Sequence, residues 1–369
     1  MRKVFAVIVL AAGLAPSAQA QQAWRTEFGI EGGYTRIKPA GTSASDHIDI
    51  FGVPGFNLPG VLPTTSSLFA ILPWKNKIAV EIGVSAIQGN AITLIGDATF
   101  FAFDVRADYA ITPRFYGAAG GALQWVENTG QSETQLGLQA ALGYRFGFVA
   151  GLRGRVEASA LFMGKSELLS PSNSYSLTFG VSKEVGGSNR AATPARRTTA
   201  RAWQPMLGVS GGYSRTHQVG GGADLSSVSI PGFGGGLSIL GTPIGAPPTV
   251  FAVFPLGRKI ALEPGLDVRR FQTGGTTVFG GNLGVRLDYA VSGGWYGGLG
   301  GNLLYLKGTG AAAETITGLN LGWGYRFPLT SGLGGRVELN YTMMGKNDSL
   351  GVPPLNTMGL QFAVTMPLQ

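Results

Sequence analysis

The amino-acid sequence predicts an all-β protein: a transmembrane, antiparallel, up-and-down β-barrel, written as two tandem eight-stranded copies. Three observations predict it. The first is duplication. Residues 24–36 (WRTEFGIEGGYTR) return as 203–215 (WQPMLGVSGGYSR), and four later pairs follow in order: VRADYA at 105–110 with VRLDYA at 285–290, GYRF at 143–146 and 324–327, GRVE at 154–157 and 335–338, and MGK at 163–165 and 344–346. A separation near ~180 residues makes each copy domain-sized, not a solenoid or propeller unit. The second is strict period-two alternation with ions on one parity only. The third is an alternation of short turns with longer loops.

Composition agrees. Only 13% of the 369 residues are charged, 44% are hydrophobic and 60 are glycine, against about 25% charged in an ordinary soluble domain. With no cysteine, disulfides, thiolate metal sites, cysteine nucleophiles and lipid-bearing cysteines are excluded. Residues 1–20 read as a secretory signal: Arg2 and Lys3, an apolar run over 4–14, then Ala18-Gln19-Ala20, so that the mature chain begins at Gln21. That run is shorter than the ~20 residues a spanning helix needs. The expected units are 1–20 (signal), 21–185 (first barrel), 186–202 (a basic periplasmic linker carrying Arg190, Arg196, Arg197 and Arg201) and 203–369 (second barrel).

In the first copy the strands are expected near 24–37, 66–74, 77–88, 99–111, 115–127, 133–146, 152–163 and 174–185. In the second they fall near 204–217, 248–256, 259–272, 277–291, 295–307, 315–328, 334–345 and 357–368. The pattern is plainest in 101–111: Phe101, Phe103, Val105, Ala107, Tyr109 and Ile111 share one face, and Asp104, Arg106 and Asp108 the other. Leu136, Leu138, Leu142 and Tyr144 likewise oppose Gln139 and Arg145, and Leu319, Leu321, Trp323 and Tyr325 oppose Asn320 and Arg326. The second strand of each copy, LFAILP and VFAVFP, departs from this by being apolar on both faces. Turns at 75–77, 112–114 and 147–151 are short, and the stretches 38–65 and 218–247 are long. Short periplasmic turns and long outer loops are the arrangement of an outer-membrane barrel. Tyr109, Phe115, Trp125, Tyr144, Phe146, Trp295, Tyr305 and Phe327 end apolar stripes, as an interfacial aromatic girdle requires. A soluble sandwich would also alternate, but a packed apolar core has no room for charges at mid-strand.

On these residues, the export segment, the start GIEGGYTR or GVSGGYSR, the mid-barrel VRADYA or VRLDYA and the hairpin LGYRFGF or WGYRFPL, the chain resembles the OmpA-like outer-membrane β-barrel family in tandem. The resemblance covers the mature chain apart from 186–202. It implies barrel-assembly machinery as a partner, and in that family the last strand ends on an aromatic residue. Here the chain ends Met366-Pro367-Leu368-Gln369, with Phe362 the nearest aromatic.

The inward parity carries Glu81, Arg106, Arg145, Arg155 and Glu157, and again Glu263, Arg286, Arg326, Arg336 and Glu338. Acids and bases on neighbouring strands form a structural charge network that fills a narrow lumen, since buried ions must be paired. Small inward residues and the long linker favour two barrels, while one fused sixteen-stranded barrel is the alternative. The first long loops share a V/I-P-G-F core, Val53-Pro54-Gly55-Phe56 and Ile230-Pro231-Gly232-Phe233. As apolar extracellular loops they are expected to fold over the barrel mouth.

Catalytic residues, metal ligands and cofactors are not expected. Ser45, Asp46, His47 and Asp49 share one loop, yet the second copy has no matching histidine. The glycine runs lack a P-loop lysine. The net charge of +8 is spread along the chain, so nucleic acid is not expected. The expected function is a non-enzymatic structural or surface-interaction protein of the outer membrane, with outer-membrane lipid, lipopolysaccharide and an unassigned extracellular ligand as partners. The alternatives are a passive porin-like channel for small solutes and a loop-based lipid-modifying enzyme that uses His47.

Overall fold

The computed structural model describes residues 24–39, 47–53, 68–92, 96–128, 131–148, 152–165, 171–185, 203–219, 225–229, 237–239, 242–244, 249–273, 275–330, 332–349 and 352–368. All regular structure among them is β. The first copy supplies β1 (Glu27–Pro39), β2 (Ile48–Val53), β3 (Leu68–Lys75), β4 (Ile78–Ile92), β5 (Gly96–Ala110), β6 (Phe115–Asn128), β7 (Gln131–Gly147), β8 (Leu152–Met163) and β9 (Ser172–Glu184). The second supplies β10 (Met206–Gln218), β11 (Leu225–Ser229), β12 (Leu237–Ile239), β13 (Thr242–Ile244), β14 (Val250–Pro255), β15 (Ile260–Thr273), β16 (Thr276–Ser292), β17 (Trp295–Gly308), β18 (Glu314–Thr330), β19 (Leu333–Met344) and β20 (Leu355–Pro367).

At the short-turn end the strands close into two antiparallel eight-stranded barrels. One runs β1–β3–β4–β5–β6–β7–β8–β9 and back to β1. The other runs β10–β14–β15–β16–β17–β18–β19–β20 and back to β10.

At the long-loop end the same walls join. β3 and β14 are only 8 and 6 residues long, while β4 and β15 have 15 and 14. The upper edges of β1, β4, β10 and β15 would therefore lack partners, and unpaired backbone amides and carbonyls are not tolerated in lipid. β2 continues the line of β3 along β1, with Ile37 opposite Ile48 and Gly33 opposite Gly52. Its free edge does not return to β4. It pairs with β15 of the second copy, from Val268 opposite Val53 to Thr273 opposite Ile48. In the mirror arrangement β11 pairs with β10 and with β4, where Ser227 lies opposite Gly89. At this level β2 and β11 take the places of β3 and β14, and the wall is one continuous ring of sixteen strands. The two arrangements weighed from the sequence thus coexist at opposite ends of the molecule.

One sequence expectation is corrected here. The stretches 38–65 and 218–247, expected as long loops, contain β2, β11, β12 and β13 because those strand edges need hydrogen-bond partners. The apolar segments were expected at the outer mouth. Val53 ends β2, and Pro54, Gly55, Phe56, Ile230, Pro231, Gly232 and Phe233 lie outside the described residues. The β12–β13 hairpin lies against β4 through β12 and against β16 through β13.

The facing of side chains follows the predicted parity. Leu136, Leu138, Leu283, Val285, Leu287, Leu319 and Trp323 are exposed on the outer wall. Described outward charges such as Arg36, Asp49, Arg270 and Lys307 stand toward the long-loop rim. Near the short turns Phe115, Tyr144, Phe146, Phe148 and Phe179 form a contiguous aromatic belt, matched by Trp295, Trp323, Tyr325 and Phe327. The doubly apolar β3 and β14 are explained as well. Phe69, Ile71, Phe251 and Val253 point into the barrels. Leu68 and Val250 point outward, where they meet Ile30 and Val209 across the junction of the two copies.

Candidate functional site

The interior of each barrel is an ionic core resting on aromatic residues. In the first, Glu157 accepts two bonds from Arg106, each 2.6 Å, and a third from the Tyr116 hydroxyl at 2.6 Å. Arg106 also meets Glu81 at 2.9 Å and Asp108 at 3.0 Å. Arg155 bridges Glu81 to Glu31, the latter at 2.6 Å, and its guanidinium lies 3.6 Å from the Phe69 ring centroid. Below this layer Arg145 binds Glu27, which also accepts from Ser182 at 2.7 Å. Arg145 sits 4.5 Å over Trp24, whose indole donates to the Lys77 carbonyl at 3.0 Å.

The second barrel repeats the design. Glu338 accepts from Arg286 at 2.5 and 2.8 Å and from the Tyr296 hydroxyl at 2.6 Å. Arg286 meets Glu263 at 2.9 Å and Asp288 at 2.7 Å, and Arg336 joins Glu263 to Glu338. Trp203 donates to the Lys259 carbonyl at 3.0 Å and packs edge-on against Tyr296 at 5.5 Å, as Trp24 does against Tyr116 at 5.5 Å. Glycine makes room for this layer: a Cβ on Gly143 or Gly324 would run into the Tyr116 or Tyr296 ring lying over it.

Nine of the ten charged residues expected in the lumen are thus brought together with a partner of opposite sign. Arg326 is the correction. Its guanidinium stacks 3.8 Å over Trp203, and among the described residues it forms no ion pair. Met206 and Ser210 stand where the first copy has Glu27 and Glu31. The missing acids change the chemistry around them. Met206 joins an apolar cluster with Trp203, Phe251, Val253 and Tyr296. Ser210 leaves a cavity of about 20 Å³ beside Glu263, Arg286 and Arg336, the size of one water site.

Sequence reasoning did not assign Glu27, Glu31, Asp108, Asp288, Tyr116 or Tyr296 to the network. A signal existed for the aspartates, since each lies two residues beyond an inward arginine in the duplicated VRxDYA. Elsewhere, Asp49 is held by Arg36 at 2.7 and 2.8 Å and lies 3.5 Å from His47. Ser45 and Asp46 lie outside the described residues. No group of three possible metal ligands occurs among the described residues.

The interior is filled well above the ionic layer. Thr35, Ile37, Ile50, Ser174, Thr216, Asn320, Thr342 and Thr357 all face inward and are buried. In this polar interior Glu27, Glu31, Glu81, Glu157, Glu263 and Glu338 each face a guanidinium, the surroundings that keep buried ions tolerable.

Among solved structures, Neisserial surface protein A matches at 12% identity over 44% of this chain and 96% of its own, with a TM-score of 0.28. The CymD monoaromatic hydrocarbon channel matches at 8% identity over 94% and 90%, with a TM-score of 0.31. Ail, the attachment invasion locus protein of Yersinia pestis, matches at 19% identity over 43% and 99%, with a TM-score of 0.24. No protein-family model and no curated protein sequence matches the chain.

Proposed function

We propose that this chain is a non-enzymatic outer-membrane protein with a structural and surface-interaction role. It is a pair of plugged barrels that hold a single broad platform at the outer surface. The observation that carries this reading is the occupied interior: ion pairs fill both narrow barrels, and Thr35, Ile37, Ile50, Ser174, Thr216, Asn320, Thr342 and Thr357 above them are buried as well. The apolar outer wall, the aromatic belt and the export segment support placement in the outer membrane with the termini and short turns in the periplasm. The resemblance to OmpA-like barrels supports the same placement and assembly by the barrel-assembly machinery. Lipid and lipopolysaccharide surround the wall in this reading, and the long-loop ends present the contact surface.

Planar-bilayer recording of the refolded full chain tests the proposal. No stable current steps are expected. Reproducible open steps from the unmodified protein would defeat it in favour of a porin-like channel for small solutes.

A further inference from the structure

The two barrels part company below their junction, and exposure along the facing strands traces the opening. On the outer face of β3, Leu68 is 6% exposed, Leu72 43% and Trp74 68%. On β14 Val250 is half-buried and Phe254 is 45% exposed, and Leu256 in the turn that follows is 61% exposed. Ile30, Leu68, Val209 and Val250 close the top, where the copies touch. The result is an apolar cleft shaped like an inverted V, roofed by the joined wall and open toward the short-turn end. Its mouth is flanked by the two turns that link β3 to β4 and β14 to β15. These carry Lys75, Lys77, Arg258 and Lys259 and no acidic residue. All four are exposed. A hollow of about 480 Å³ bounded by Lys75, Asn76, Lys77, Ile78 and Tyr109 adjoins the first turn.

We infer that this cleft is a binding site for one anionic diacyl phospholipid of the periplasmic leaflet, its acyl chains between the barrels and its phosphate beside the basic β3–β4 and β14–β15 turns. The inference rests on the membrane reading above. Three features distinguish the cleft from bulk lipid contact. Two walls and a roof cover the acyl chains, where an ordinary barrel face covers one side. Each copy places two exposed cations at the foot of its wall, and basic side chains at a membrane surface attract anionic headgroups. Trp74 stands at the mouth, at the headgroup level that tryptophan favours.

Native mass spectrometry of the full chain, extracted from membranes and washed in detergent, tests the site. One retained phospholipid per chain is expected. After delipidation, phosphatidylglycerol is titrated back, with phosphatidylcholine and glycerol phosphate as comparison probes. Phosphatidylglycerol is expected to bind best. The quadruple variant K75A/K77A/R258A/K259A is expected to weaken it at least roughly tenfold, with the folded barrel verified by its heat-dependent gel mobility. Ala252→Trp, which fills the cleft without changing charge, is expected to abolish retention. Three outcomes overturn the inference: no phospholipid retained, unchanged affinity in the quadruple variant, or glycerol phosphate binding as tightly as the intact lipid. A chain that stays soluble without detergent would defeat the membrane reading itself, a separate result.

Discussion

The first barrel closes its short-turn end with ions, and the second closes the same place with apolar side chains. In the first, Glu27 gathers Arg145, Arg153 and Ser182, while Glu184 bridges Arg25 and Arg153. In the second, Met206, Gly334, Met366 and Pro367 occupy the positions of Glu27, Arg153, Lys183 and Glu184. Above this layer the two are nearly superimposable in chemistry: a glutamate held by an arginine and a tyrosine, an aspartate on the same arginine, and a second arginine reaching a glutamate on β4 or β15. The difference teaches which ions matter. A buried pair can be exchanged for apolar packing with little net cost, whereas removing one partner alone strands the other. The second copy has apolar residues or glycine at the positions of Glu27, Arg153, Lys183 and Glu184, keeps Arg326 stacked on Trp203, and keeps the pairs at Glu263, Arg286, Arg336 and Glu338.

Four substitutions can break or sharpen that contrast. The largest effect is expected from Glu157→Ala or Glu338→Ala, because each glutamate anchors an arginine and a tyrosine together. Either should cost about 3–5 kcal/mol in urea unfolding of the lipid-refolded protein followed by tryptophan fluorescence. The two barrels should lose similar amounts. Glu27→Met gives the first barrel the residue of the second, but it removes the carboxylate that Arg145 and Ser182 share and leaves Arg153 with Glu184. A loss of roughly 1.5–3 kcal/mol is expected, and no loss would mean that the lower ionic layer is idle. The reverse change, Met206→Glu, supplies Arg326 with a carboxylate at the expense of the Trp203 cluster. It should fall within about 1 kcal/mol of the parent, and a large gain would show the apolar closure to be the poorer one.

The fourth contrasts the two ends of the molecule and leaves stability nearly unchanged. Phe51 and Arg270 are register partners across the two copies, and the chain has no native cysteine to interfere. Phe51→Cys with Arg270→Cys should oxidise to an intramolecular disulfide. A protease site placed in residues 186–202 then reports the result on a non-reducing gel. Halves that stay joined agree with the sixteen-stranded upper wall, and halves that separate would mean that each barrel closes alone along its full length.

Much of this was legible from residues in order. The parity of Arg106 against Val105 and Tyr109 announces which face meets lipid, because a strand has a fixed period of two. Duplication of GRVE and VRxDYA doubles the evidence for Arg155, Glu157 and Arg106 as a set. Glu27 and Glu31 were harder to see, since the second copy carries Met206 and Ser210 there and the duplication falls silent. For Arg326 the duplication misled, because a preserved arginine had lost its acid on a strand distant in sequence. β2 and β11 look like loops in the sequence because one edge of each pairs with the other copy, and no local pattern encodes a neighbour so remote.

By itself, the order of residues determined the strand period, the two-copy plan and the polarity of inside and outside, all consequences of local alternation. Only the tertiary structure decided how many strands close each ring. Short β3 and β14 leave four upper strand edges unpaired, and hydrogen-bond demand in a lipid environment is met by whichever strands stand beside those edges, here β2 and β11 of opposite copies. That outcome depends on strand lengths compared across the whole wall, a quantity that no single stretch of the chain contains.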